Sequence, residues 1–261
     1  MNLRLLRSMW RRNWAKVVAV SCGMALWGFL AAVIDKSILG MLRALPKALQ
    51  QFGSGNLNSF PGVITVMFEH PLVVAMACTI VVGIAVPAIA GQRQSGTLEM
   101  LLARPIGRPT LITTTALAVL TMLLASLLAM VAGILGGSAI EGLNDQLSLG
   151  SLVVVWINAV LLYSAFGAFA LAASSASNRN GPAVAWTLAY LLVNYFFEIL
   201  GGFWDVAKPW QPYSLFHHFN AQEILMSDAS IFDLCLLSVA AAVPLLFALY
   251  YFPRRDLPAP G

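Results

Sequence analysis

Charge is what this sequence has least of. Asp, Glu, Lys and Arg make up 10% of its 261 residues, against about 25% in a soluble globular chain. So few charges cannot clothe a water-facing surface, which excludes an ordinary soluble enzyme, a disordered chain and a nucleic-acid binder. Cysteine is scarce as well. Cys22, Cys78 and Cys235 lie inside apolar runs without C-x-x-C spacing, so they read as small buried hydrophobes rather than a disulfide framework or a zinc site. His70, His217 and His218 are the only histidines. Neighbouring His217 and His218 cannot both face one ion from a regular helix, so no metal site with Glu223 is expected. Gly53-Ser54-Gly55 lies in a polar loop rather than a span, so the paired Ser and His of an intramembrane hydrolase are not expected. The sequence has no G-x-x-x-x-G-K-[ST] motif, and no cofactor is expected in this chain.

What is present is hydrophobic: 59% of residues, with a mean hydropathy of +0.81. Uncharged runs cover 17–34, 70–92, 109–140, 146–178, 180–197 and 234–253. A helix needs about 20 apolar residues to cross a bilayer, so these runs predict an all-α integral membrane protein with six transmembrane helices. Spans are expected at about 17–34, 71–91, 109–136, 150–175, 181–199 and 231–252. The third and fourth runs exceed what a bilayer requires, so those helices must tilt, bend or protrude. The runs do not alternate in polarity, which excludes barrel strands. The first run has the basic flank of a leader peptide, but its length and the Asp35-Lys36 that follows read as an uncleaved span.

The few charges form a topology code. Eleven of the 15 basic residues fall at the N-terminus, in the links after spans two and four, and at the C-terminus, against two acids, Glu99 and Asp256. The other nine acids fall on the opposite side. By the positive-inside rule both termini are cytoplasmic, in a multi-pass chain of the plasma membrane. The pI near 9.1 thus reflects topology and not nucleic-acid binding. Residues 1–16 read as an amphipathic elbow helix, with Leu3, Leu6, Trp10 and Trp14 on one face and Arg4, Arg7 and Arg11 on another. On the outer side, Ile38, Leu42, Leu45, Leu49 and Phe52 form a helical stripe that Pro46 interrupts. Segment 201–228, with Trp204, Trp210, Tyr213 and Phe216 among Gly and Pro, reads as short interfacial or re-entrant helices.

The link between spans two and three, Gly91 to Pro109, predicts a short helix at about 97–103. Ser95, Gly96 or Thr97 can cap it, Glu99 suits the positive end of its dipole, and Pro105 ends it. Leu98, Leu101 and Leu102 make an apolar face that fits either a groove on a soluble partner or the lipid surface.

The run Gly96-Thr97-Leu98-Glu99, Leu101-Leu102, Arg104-Pro105 and Arg108 resembles the signature of type-2 ABC exporter permeases. The closing Phe252-Pro253-Arg254-Arg255-Asp256-Leu257 is similar to the family's F-x-R-R-D-L. Outer residues Pro212 to Phe219 are similar to its stretch before the last span. The family often carries an acid near the positions of Gln92 and Gln94, where this chain has glutamine. The resemblance implies a permease subunit that couples ATP hydrolysis by a separate cytoplasmic ATPase to export. Two ATPase copies, holding ATP and Mg, would serve two permease chains, as homodimer or heterodimer. Helix 97–103 would be the coupling helix, with Leu98, Leu101 and Leu102 as contact and Glu99, Arg104 and Arg108 as polar rim.

The transport path is less marked. Thr187, Tyr190, Asn194 and Glu198 lie on one face of span five, and Asn158 is in span four; these polar groups read as pathway lining or as contacts between helices or subunits. Ala129, Gly133 and Gly137, and likewise Ala168, Ala172 and Ala176, have the small-xxx-small spacing of close helix packing. Two alternatives stand beside this reading. One is an ATP-independent carrier or channel, although no span carries a charge near its centre. The other is a mechanical ABC subunit that acts on another protein.

Overall fold

The computed structural model describes residues 2–42, 51–52, 55–56, 60–103, 106–143, 145, 147–226 and 230–256. Apart from a two-residue antiparallel ladder, with Gln51 opposite Asn56 and Phe52 opposite Gly55, its regular structure is helical. In chain order the helices are α1 (Leu3–Leu42), α2 (Phe60–Glu69), α3 (Pro71–Val86), α4 (Gln92–Gln94), α5 (Leu98–Leu102), α6 (Arg108–Glu141), α7 (Leu149–Ala176), α8 (Asn180–Phe203), α9 (Ala221–Met226) and α10 (Ile231–Arg254). Among the described residues, six segments are long and apolar enough to cross a membrane: Leu3–Val33, Pro71–Gln94, Arg108–Glu141, Leu149–Ala176, Asn180–Phe203 and Ile231–Arg254.

Sequence signals account for the ends. His70 caps α3, its ring accepting the Leu72 amide at 3.2 Å, and Pro71 follows where a missing N–H costs nothing. Ser148 and Ser230 cap α7 and α10 in the same way. Gly142 ends α6 in the left-handed region, at φ 67°. At 34 and 28 residues, α6 and α7 are about 51 and 42 Å long at 1.5 Å per residue, well beyond a hydrocarbon core of roughly 30 Å.

The N-terminus departs from expectation. Elbow and first span are one continuous helix of 40 residues. No glycine or proline falls between Leu3 and Cys22 to break it, and one buried stripe of Met9, Asn13, Val17 and Met24 runs through the expected junction. Leu3 and Trp14, on the apolar face expected to lie in the membrane interface, are 67% and 62% exposed. Lys16 therefore sits inside a membrane-spanning helix, which corrects the expectation that no span carries a central charge. Pro46 and the stripe Ile38 to Phe52 lie outside the residues whose side chains are described.

The bundle is built on α1 against α6, which run parallel. Trp10 Nε1 donates to Thr121 Oγ1 and Ser21 Oγ to Ser126 Oγ, each at 3.1 Å. Farther along, Gly133 and Gly137 meet α1 so closely that an added Cβ would lie 2.0 Å from the Ala25 carbonyl oxygen and 2.7 Å from that of Phe29. In α7, by contrast, Ala176 is exposed. Helices α3, α6 and α7 enclose the core, where the fully buried Tyr163 donates to the Phe68 carbonyl at 2.8 Å. Helices α8 and α10 pack by one side, leaving Trp186, Phe196, Phe232 and Leu246 outward. Cys22 and Cys235 are exposed and Cys78 half-buried, contrary to the expected burial. On a helix in hydrocarbon, an outward thiol meets the same apolar medium as an inward one.

Candidate functional site

Pro87 stands inside the second span and supplies no N–H to the carbonyl of Gly83, four residues earlier. The break is filled from two sides. Lys16 of α1 donates its Nζ to the Gly83 oxygen at 2.9 Å. Ser174 of α7 inserts its hydroxyl, donating to the Val86 oxygen at 2.8 Å and accepting the Ala90 amide at 3.0 Å. The helix widens to a π turn over Pro87–Gly91 before α4, a known consequence of such an interruption.

The link then folds on a left-handed glycine. Gly96 has φ 68°, and its amide donates to the Arg93 oxygen at 3.1 Å, while Thr97 N donates to the Gln92 oxygen at 2.9 Å. These two bonds make a Schellman motif that closes α4. The Gly-Thr pair, expected to begin a helix, thus also ends one. The Thr97 hydroxyl reaches back to the Gln92 side chain, and Gln94 Oε1 accepts the Asn180 amide at the start of α8 at 2.9 Å. Both glutamines are therefore engaged within the chain.

Helix α5 turns opposite to expectation. Leu98 is only 2% exposed, and Leu101 and Leu102 are half-buried against the core. The leucine face is the inner face, because the Schellman turn directs the first residue after Thr97 toward the bundle. Glu99, Met100 and Ala103 face outward, and Met100 is 65% exposed. Arg104 and Pro105 lie outside the described residues. Arg108 is turned inward as well. Its Nη1 donates to the carbonyls of Pro253 and Arg255 at 3.1 and 2.8 Å, capping the end of α10. Arg255 in turn donates to the carbonyls of Ser175 and Ser177 at 2.7 and 3.2 Å, and to Asn178 Oδ1 at 2.5 Å, capping α7. Each guanidinium meets the negative end of a neighbouring helix.

At the far end, the polar face of α8 holds a cap made by its own chain. Asn194 accepts the Leu215 amide at 2.8 Å, and Ser214 Oγ donates to the Asn194 carbonyl at 2.7 Å. Glu198, 3% exposed, accepts from Gln211 Nε2 at 3.0 Å and lies 3.5 Å from His217 Nδ1. The Glu198 hydrogen bond raises the His217 pKa, with Asp233 and Glu223 adding to it and burial opposing it. Thr187 is buried with its hydroxyl on the Ala183 carbonyl. Tyr190 stacks on Phe169 at 4.3 Å between centroids, and Asn158 is buried in α7. His218 turns to Asp233 at 2.7 Å, away from His217. Among the described residues no group of metal-ligating side chains is placed to hold an ion.

The sequence pattern of the family described as ABC-2 family transporter protein matches residues 9–257. The chain belongs to the ABC-2 family. No curated protein matches it. The match takes in both ends of the ABC-2 chain's link network, from Lys16 to Arg255. Sequence reasoning singled out the link but missed Lys16, Pro87 and Ser174 as its supports. A proline inside an apolar run was the available signal for the break. Nothing local distinguishes Ser174 from its neighbouring serine, since its role comes from a helix distant in sequence.

Proposed function

We propose that this ABC-2 chain is the membrane subunit of an exporter driven by a separate cytoplasmic ATPase. Two copies of the ATPase, carrying ATP and Mg, act on two permease chains, identical or related. The observation that carries this reading is the outward face of α5: Glu99 and Met100 stand clear of the chain on a helix whose other face is anchored by Leu98. An acid beside an exposed flexible apolar side chain suits a groove with an apolar floor and a basic rim. The link stands on the basic, cytoplasmic side by charge distribution. Leu98, Leu101 and Leu102 serve as the anchor and Glu99 with Met100 as the contact; Arg104 and Pro105 follow them in sequence.

A push on α5 reaches the spans through bonds already described. It passes to α3 through the Schellman turn, to α8 through Gln94, and to α10 and α7 through Arg108 and Arg255. Nucleotide binding to the ATPase favours one of two arrangements of the spans, and hydrolysis restores the other. The outer cap on Asn194 and Glu198 then closes the far end of the path in one arrangement.

The test is affinity purification of the membrane-inserted chain with measurement of ATP hydrolysis in the purified material. The wild type carries a stoichiometric ATP-hydrolysing subunit, while Glu99→Arg and Met100→Asp lose it and retain insertion and melting temperature. Leu101→Asp, aimed at the anchor, lowers the melting temperature itself. Full ATPase association in both outward-face variants, or none in the wild type, sinks the reading.

A further inference from the structure

The cap at the end opposite the link carries a plug. Leu215, Phe216 and Phe219 are buried. The Phe216 ring meets Phe166 at 5.6 Å and Tyr195 at 5.3 Å between centroids, and Phe219 meets Phe68 at 5.9 Å. Two neighbouring histidines strap this plug to two different spans. His217 turns to Glu198 of α8, and His218 turns to Asp233 in the first turn of α10. Each strap is complete only with a charged ring. Glu198 Oε2 is buried and receives no hydrogen bond among the described residues, and His217 Nδ1 stands 3.5 Å from it. An imidazolium there offsets the buried carboxylate, whereas a neutral ring leaves it with the Gln211 amide alone. His218 sits between two acceptors, with Nδ1 2.7 Å from Asp233 Oδ1 and Nε2 3.0 Å from the Pro212 carbonyl. An imidazolium donates to both, and a neutral imidazole has one N–H to give.

Acids surround the pair. Among the described residues, Glu198 of α8, Asp233 of α10 and Glu223 of α9 act on His217 and favour its charged form, with Glu198 foremost and burial opposing. Asp233 faces His218. The two rings lie 5.6 Å apart and repel when both are charged, but three carboxylates outweigh that repulsion. The His217 side chain is 41% exposed, so protons reach it from water. Histidine changes charge between about pH 5 and 8, where few other side chains do. We propose that His217 and His218 form a pH-operated latch: acid at this end of the bundle holds the plug in place, and loss of their protons releases it. Release breaks the bonds of Ser214 and Leu215 to Asn194 and opens the polar face of α8 to water.

Hydrogen exchange read by mass spectrometry on the full-length chain in detergent tests this, from about pH 5.5 to 8. Each rate is divided by that of the unfolded peptide at the same pH, so the chemical pH dependence cancels. The amides of Ser214, Leu215, Phe216 and Phe219, bonded to Gln211, Asn194, Ser214 and Phe216, report on the plug, and those of α7 on the bundle. Plug protection should fall as pH rises, by up to about tenfold per pH unit for each proton released, while α7 stays protected. Glu198→Gln and Asp233→Asn each lower that slope, and together they remove it. Wild-type plug protection that does not change with pH overturns the proposal. So does a fall shared equally by α7, or a full slope in the double variant. The wild-type profile, set against α7, decides alone should the double variant fail to fold. Exchange is read without ATPase or nucleotide, so this proposal and the permease reading stand or fall separately.

Discussion

Three glycines on one helix give a graded test of the α1–α6 contact. A Cβ at Gly133 would lie 2.0 Å from the Ala25 oxygen and 2.8 Å from its carbonyl carbon. At Gly137 the approach is 2.7 Å to the Phe29 oxygen, and at Gly136 the nearest atom is 4.0 Å away. A carbon–oxygen contact settles near 3.3 Å, so alanine at 133 must push the helices apart locally by about 1.3 Å. The obstruction is backbone, which cannot rotate away. A gap of 0.5–1 Å already forfeits a quarter to a half of each contact's attraction, and the neighbouring close approach of Gly28 to the Met130 oxygen, where a Cβ would meet it at 2.4 Å, is lost along with it. Gly133→Ala is expected to cost about 3 kcal/mol, the upper end for overpacking, or roughly a hundredfold in the folded population. Gly136→Ala instead gains about 0.5–1 kcal/mol, because alanine has less backbone freedom to lose. Gly137→Ala falls between the two. Thermal unfolding of the three variants in detergent, followed by tryptophan fluorescence, measures the order. A Gly133→Ala protein as stable as the wild type, or no more affected than Gly136→Ala, refutes the packing argument.

Ser174→Ala leaves the Val86 carbonyl and the Ala90 amide without their bridge, at about 1–3 kcal/mol. Adding Pro87→Ala lets the helix close its own ladder and recovers part of that loss, measurable as a double-mutant cycle. Gly96→Val costs about 1–2 kcal/mol from its left-handed backbone alone, since no atom lies within 4 Å of the added Cβ. Gly96→Asn costs less, and equal melting of the two variants contradicts the Schellman assignment. His217 has its pKa raised above 6.5 in the folded chain by Glu198. Its contribution is complete below that value and is lost as pH rises through the raised pKa. The melting temperature should therefore fall on going from pH 6 to pH 8, and Glu198→Gln should flatten that slope.

The class of molecule was legible from composition alone. A chain with one charge in ten residues cannot expose a polar surface, and its apolar runs are as long as a bilayer is thick. The Gly-Thr-Leu-Glu run, Pro105 and the Arg pair marked the link because glycine, proline and charge act locally, whatever packs against them. The facing of α5 was not legible. Leucines at i, i+3 and i+4 define a face but not what it meets, and the Schellman turn at Gly96 decides that it meets the core. Arg108 and Arg255 were visible as charges, but their targets are carbonyls of helices far away in sequence. Lys16 shows the division most clearly. As a residue it was one more basic charge near the N-terminus. Only the packing of α1 against α3 brings its ammonium to the carbonyl that Pro87 leaves free. Local chemistry determines which groups lack partners, and three-dimensional proximity decides which partners they find.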